Sequence, residues 1–145
     1  MLSCLQEFLY QSAEAQHSAI IALTSSLSLP CAESENYQND LSYCFWAWGH
    51  NLWGQLGDAT YYSRFAPVRV QGITDVASIA AGQSHSLAVR RDGTLWTWGS
   101  NWNGRLGDGT NTGRLAPVQI QGLTDVVYVT AGWSHSFEEP YGHGD

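Results

Sequence analysis

At 145 residues, 43% hydrophobic, 12% aromatic and only 13% charged, the chain has room for one domain, the material for a core and too little charge for a disordered segment. Its formal charge of −7 is the wrong sign for gripping phosphate backbones, which excludes nucleic acid as a first partner. Cys4, Cys31 and Cys44 are odd in number and irregular in spacing, so they form no recognisable zinc or disulfide framework, and no stretch approaches the roughly 20 apolar residues of a membrane-spanning helix.

Residues 1–44 read differently from the rest. Ser3 followed by Gln6 fits a capping box, and Leu2, Leu5, Leu9, Ala13, Ile20 and Leu23 recur at loosely helical spacing, which predicts a helix over 3–23 in an otherwise irregular segment. A secretory signal is the weaker reading, because no Lys or Arg precedes Arg64 and the apolar run over 19–23 is short.

From Trp46 onward one pattern is written twice. Residues 46–86 and 96–136 agree at 23 of 41 positions with a constant offset of 50 and no gap. A period of that length means stacked supersecondary units, a propeller blade or a solenoid turn, none of which buries its apolar face alone. Within the unit the periodicity is that of strands. Short β-branched runs begin at Val76 and Val126, and Asp92-Gly93 marks a hairpin turn. Leu95-Trp96-Thr97-Trp98-Gly99 alternates its side chains between two faces, and Pro67 or Pro117 heads an edge strand after a loop rich in Gly, Asn and Asp. The expected strands lie at 76–82, 85–90, 94–99 and 117–121, one antiparallel four-stranded blade.

Four segments in order, AGQSHSLA at 81–88, DGTLWTWG at 92–99, NWNGRLGD at 101–108 and Pro117-Val118, resemble the regulator of chromosome condensation repeat family over about residues 45–136. The resemblance implies an all-β fold of the seven-bladed β-propeller type and a protein-interaction role. Its best-known members exchange nucleotide on a small GTPase and bind chromatin, and bacterial relatives include secreted propellers. Seven blades at this period need roughly 350 residues, so the expectation is a partial propeller. It comprises the last two strands of one blade, a complete second, and the first strand of a third, with 137–145 a divergent tail. The chain therefore reads as a fragment, a truncated product or a piece that assembles with copies of itself through open blade edges.

The repeat also sorts architecture from recognition. His85 and His135, Asp58 and Asp108, and Trp48 and Trp98 occur in both copies. They read as a hydrogen-bonded strand histidine, an Asx-turn and core or inter-blade packing rather than a catalytic base, a calcium loop or a ligand platform. No catalytic, metal or cofactor site is expected. Positions that differ between copies are richer in aromatics. Because the turn between strands one and two emerges at the same end as the loop between strands three and four, Trp53, Tyr61, Tyr62, Trp102 and Trp133 are expected on one face with Arg64, Arg105 and Arg114. Tyr, Trp and Arg dominate interface hot spots. The function read from this is a non-enzymatic module binding a protein partner through loops on one face. A carbohydrate-binding surface is the alternative, and guanine-nucleotide exchange on a small GTPase rests on the family analogy alone.

Overall fold

A computed structural model describes residues 9–11, 19–23, 45–133 and 135–140. Among the described residues ten strands form three antiparallel sheets. The first is β1 (Leu9–Gln11), β2 (Ala19–Leu23), β3 (Phe45–Gly49) and β4 (Arg64–Arg69), paired in that order. The second repeats the layout with β5 (Val76–Ala81), β6 (His85–Arg90), β7 (Leu95–Gly99) and β8 (Arg114–Gln119), and the third is the pair β9 (Val126–Ala131) and β10 (Ser136–Pro140).

This is the partial propeller that the repeat predicts, with two differences. The described parts of 3–23 are strands, not helix: β2 lies along β3 with Ile20 opposite Trp48 and Ala22 opposite Trp46. The apolar run over 19–23 carries consecutive isoleucines, whose branched Cβ fits a pleated surface better than a helix, and β3 offers it an edge. The remaining residues of 1–44, the capping box among them, lie outside those described. The third unit also has a second strand, because Ser136–Pro140 pairs with β9 from Ser136↔Ala131 onward despite its divergent sequence.

Each element follows from local chemistry. At the Asp92-Gly93 hairpin, Gly93 takes φ +79° and Thr94 N–H donates to Asp92 Oδ1 at 3.0 Å. A side chain at Gly93 would also strike the backbone of Asp125, and Val126 N–H donates to Gly93 O at 3.1 Å, so the turn of one blade is tied to the first strand of the next. The last strand of each four-stranded sheet begins three residues ahead of the expected proline. Gly99 pairs with Arg114 and Thr97 with Val118, so Trp98 alone faces 115–117 and Pro117 sits in a bulge on an edge strand that needs no proline N–H. Gly49↔Arg64 and Ala47↔Val68 repeat the bulge around Trp48 in the first sheet.

The core lies between sheets. Phe45, Ala47, Leu56, Val70 and Ile73 of the first blade pack against Val76, Ile79, Ala81, Ala88 and Trp98 of the second. Fully buried Trp98 meets Phe45 edge-on, with ring centroids 5.7 Å apart. Leu87, Val89, Leu95 and Ile120 of the second blade meet Val126 and Val129 of the third in the same way. His85, 0% exposed, joins the second junction through its Nε2, 3.0 Å from Ser136 Oγ.

Candidate functional site

The loops after β3 and β7 are built around one buried side chain each. Asn51 Oδ1 accepts from Leu56 N–H at 2.9 Å, while its Nδ2 donates to Asp58 Oδ1, Thr60 O and Tyr62 O, each at 3.0 Å. Asn101 repeats the set with Leu106, Asp108, Thr110 and Thr112 at 2.9–3.1 Å. An asparagine offers a carbonyl acceptor and two N–H donors on one plane, and both loops engage the oxygen and the amide nitrogen. The sequence pattern displays these residues in the repeated N-x-x-G-x-L-G-D segment, yet only the structure shows that the asparagine is the hub.

Asp58 and Asp108 complete each lock. Asp108 Oδ1 accepts from Asn101 Nδ2 and from the N–H and Oγ1 of Thr110, an Asx-turn, while Oδ2 takes Arg114 Nε at 2.8 Å and Nη2 at 2.7 Å. Burial pushes this carboxyl upward, but the hydrogen bonds from Arg114, Thr110 and Asn101 outweigh it and hold the pKa down at about 2. Asp58 is likewise lowered, with burial opposed by Thr60, Arg64 and Asn51. These carboxylates are occupied by the loop itself, which is why the repeated Leu-Gly-Asp reads as architecture. Among the described residues no group of three or more His, Cys, Asp or Glu could hold a metal ion.

The structure therefore divides the expected site residues. Trp53, Tyr61, Tyr62, Trp102 and Trp133 are all exposed, Tyr62 at 74% and Trp102 at 70%, and Leu52 joins them. Their loops and turns lie at one end of the sheets, cross-linked by Ser100 N–H to Ser84 O at 2.8 Å, Ala59 N–H to Leu115 O at 3.0 Å and Arg105 Nη1 to Ser84 Oγ at 3.1 Å. The three arginines are struts. Arg64 Nε pairs with Asp58 at 2.8 Å as Arg114 does with Asp108, and Arg105 Nε donates to Trp102 O at 2.8 Å, holding the backbone beneath the exposed indole.

Two family models, each described as the regulator of chromosome condensation (RCC1) repeat, match the chain, one over residues 44–89 and 92–137 and the other over 76–105. Among solved structures, Prp20p from Saccharomyces cerevisiae is similar with a TM-score of 0.64 and 18% identity, covering 94% of this chain and 32% of that one. Human WBSCR16 is similar with a TM-score of 0.65 and 21% identity, covering 92% and 31%. Yeast RCC1 (Prp20) bound to Kap60 gives 0.58 and 21%, covering 87% and 29%. The chain thus spans about a third of the length of these structures. Two consecutive matched repeats, with the blade geometry they specify, make this chain a member of the regulator of chromosome condensation repeat family.

Proposed function

We propose that the chain is a non-enzymatic propeller module that binds a protein partner through the loops at one end of its blades. The observation that carries this reading is the pairing of uncovered aromatics with immobilised loops. Trp53, Tyr61, Tyr62 and Trp102 project from segments whose backbone is fixed by Asn51 and Asn101. Ordering a loop on binding subtracts from affinity, and here the ordering is built in before any partner arrives. Large rigid aromatics then supply contact area at low entropic cost. The similar structures favour a protein partner, since Prp20p is described with binding properties to Gsp1p and histones and is also seen bound to Kap60.

The test is capture of partners on the immobilised chain, run beside a glycan array. A protein retained by the parent and lost by Trp102→Ala and Tyr62→Ala supports the reading. Retention of sugars instead moves the assignment to carbohydrate, and variants that bind like the parent remove this face. Nucleotide exchange is checked separately by release of labelled GDP from a small GTPase.

A further inference from the structure

Of the three arginines on the loop face, Arg105 is the one without a counterpart in the other repeat copy. Arg64 and Arg114 stand at matching places, and each is taken by a carboxylate of its own loop, Asp58 and Asp108. Arg105 replaces Gln55. Gln55 is buried and closes its own turn: its Oε1 accepts from Trp53 N–H at 2.9 Å and its Nε2 lies 2.8 Å from His50 Nδ1. Arg105 pins the equivalent turn with capacity to spare. Its Nε donates to Trp102 O at 2.8 Å and its Nη1 to Ser84 Oγ at 3.1 Å. These bonds use two of a guanidinium's five N–H groups, and the others have no acceptor among the described residues.

The second blade, all four strands of which are described, does not neutralise this charge. Its span over 76–119 holds two carboxylates. Asp108 is taken by Arg114, and Asp92 lies in the hairpin turn at the opposite end of the sheet, paired with Arg90 Nη1 at 3.0 Å. Both bonds of Arg105 stay within the same blade, so its place is set by the turn after β5 and by the backbone that carries the exposed Trp102 indole. Arg105 itself is partly exposed. Burial lowers its pKa, the direction of a cation that has shed water without gaining an anion. A planar guanidinium matches a carboxylate through parallel hydrogen bonds, and an adjacent indole suits an apolar side chain.

We propose, building on the reading of these loops as a partner-binding face, that Arg105 determines its specificity. It takes the side-chain carboxylate of an Asp or Glu in a peptide segment of the protein partner, while an apolar side chain of that segment lies on Trp102. A segment lacking the acid leaves the partly buried guanidinium desolvated and unpaired, which is the source of discrimination. Arg64 and Arg114, already neutralised by their own loops, discriminate nothing.

Selection of a random peptide library displayed on phage against the immobilised 145-residue chain tests this. The sequences retained should be enriched in Asp or Glu beside aromatic or large aliphatic residues. That enrichment should vanish on Arg105→Gln, a variant that borrows the residue with which the first copy closes the same turn. For one synthetic peptide from the parent selection, Arg105→Gln should weaken binding about ten-fold. Replacing the acid of that peptide by its amide should weaken binding to the parent by the same factor and have little further effect on the variant. Mere loosening of the Trp102 turn would not produce that coupling. Peptides lost by Trp102→Ala but showing no acidic preference overturn the carboxylate site and leave the face standing. So does an acid whose replacement weakens parent and Arg105→Gln alike. If Trp102→Ala and Tyr62→Ala retain the selected pool as the parent does, or the parent retains no sequence at all, the face is wrong and the carboxylate site falls with it.

Discussion

The indole of Trp98 reaches across a blade boundary and donates to the carbonyl oxygen of Gln55 at 2.9 Å, while Ser86 Oγ of the same blade donates to that oxygen at 2.8 Å. One carbonyl of the first blade thus anchors two strands of the second. Both donors are fully buried, so neither bond has a solvent substitute.

Trp98→Ala should therefore be among the most damaging single changes, removing a wholly buried ring from the centre of the first junction. Loss of a large aromatic from a packed core costs about 3–5 kcal/mol. Trp98→Phe keeps most of the volume and removes the donor, which should cost about 1–3 kcal/mol because Gln55 O keeps Ser86. Urea unfolding followed by circular dichroism reads both. Equal losses for the two variants would show that the hydrogen bond, not the packing, holds the junction.

The second junction carries a pH dependence. His85 is fully buried, lies against Gly82, and has no partner on Nδ1 among the described residues. Burial, aided by the positive charge of Arg105, lowers its pKa from 6.5 to about 4. A folded-state pKa below the unfolded value means that the unfolded chain takes up the proton first. Stability is then complete above about pH 6.5 and declines as pH falls toward 4, by about 3 kcal/mol over the window. Urea midpoints at pH 7, 6, 5 and 4 should show the decline. His85→Gln should start lower at pH 7 and be flatter across the same range, and parallel profiles for parent and variant would place the titration elsewhere.

Within the loops, Asn101→Ala should lower stability by about 2 kcal/mol, because it strands the buried Leu106 N–H and removes the part-buried bonds to Asp108 and to the Thr110 and Thr112 carbonyls, which water can partly replace. The Asp108 contribution has its own pH signature. Its folded pKa of about 2 lies below the ordinary 3.8, so the stability it lends is present above pH 3.8 and disappears as pH falls from there toward 2. Acid unfolding of Asp108→Asn should be shallower than that of the parent in that interval.

Much of this architecture is legible in the sequence because the repeat states it twice. The constant offset makes Trp48 the equivalent of Trp98, and the Asp-Gly turn and Trp-Gly strand fix four strands of a blade to within a few residues. What escapes is whatever has no second copy or depends on a partner strand. Residues 9–11 and 19–23 have no repeat counterpart, and Leu and Ala spaced at three and four suit a helix until an open strand edge at β3 competes for them. Arg64 and Arg114 are present in both copies, so the rule that separates architecture from recognition already points to struts. Their aromatic neighbours drew them onto the expected binding face. Trp46 is a subtler case. Its equivalent Trp96 donates to Thr94 Oγ1 at 3.0 Å, but Cys44 stands in the sequence where Thr94 would be, and the buried Trp46 Nε1–H has no partner among the described residues.

The aromatic face and its struts should respond oppositely to mutation. Tyr62→Ala and Trp102→Ala remove exposed rings and should change stability by less than about 0.5 kcal/mol, while each weakens partner binding by about 30-fold, as an interface hot spot does. Arg114→Ala should instead lower stability through Asp108 and reduce binding only as far as the loop loosens. Calorimetric unfolding beside binding isotherms separates the two effects. A stability loss in Tyr62→Ala matching its binding loss would make that ring part of the loop's own packing.

Gly57 and Gly107 offer a matched comparison that isolates what lies in the socket. Both sit in the left-handed region, at φ +68° and +70°, so replacement by alanine strains both backbones alike, by about 1 kcal/mol. Their surroundings differ. A β-carbon at Gly57 would lie 2.8 Å from Trp98 Nε1 and 2.9 Å from Val70 Cγ1, forcing the buried indole away from Gln55, whereas at Gly107 nothing lies within 4 Å. In dilute solution Gly57→Ala should therefore cost about 2 kcal/mol more than Gly107→Ala, the excess being the overpacking of a filled junction. Equal stability losses would show that Trp98 yields freely at Gly57, and the tight socket at the first junction would then be wrong.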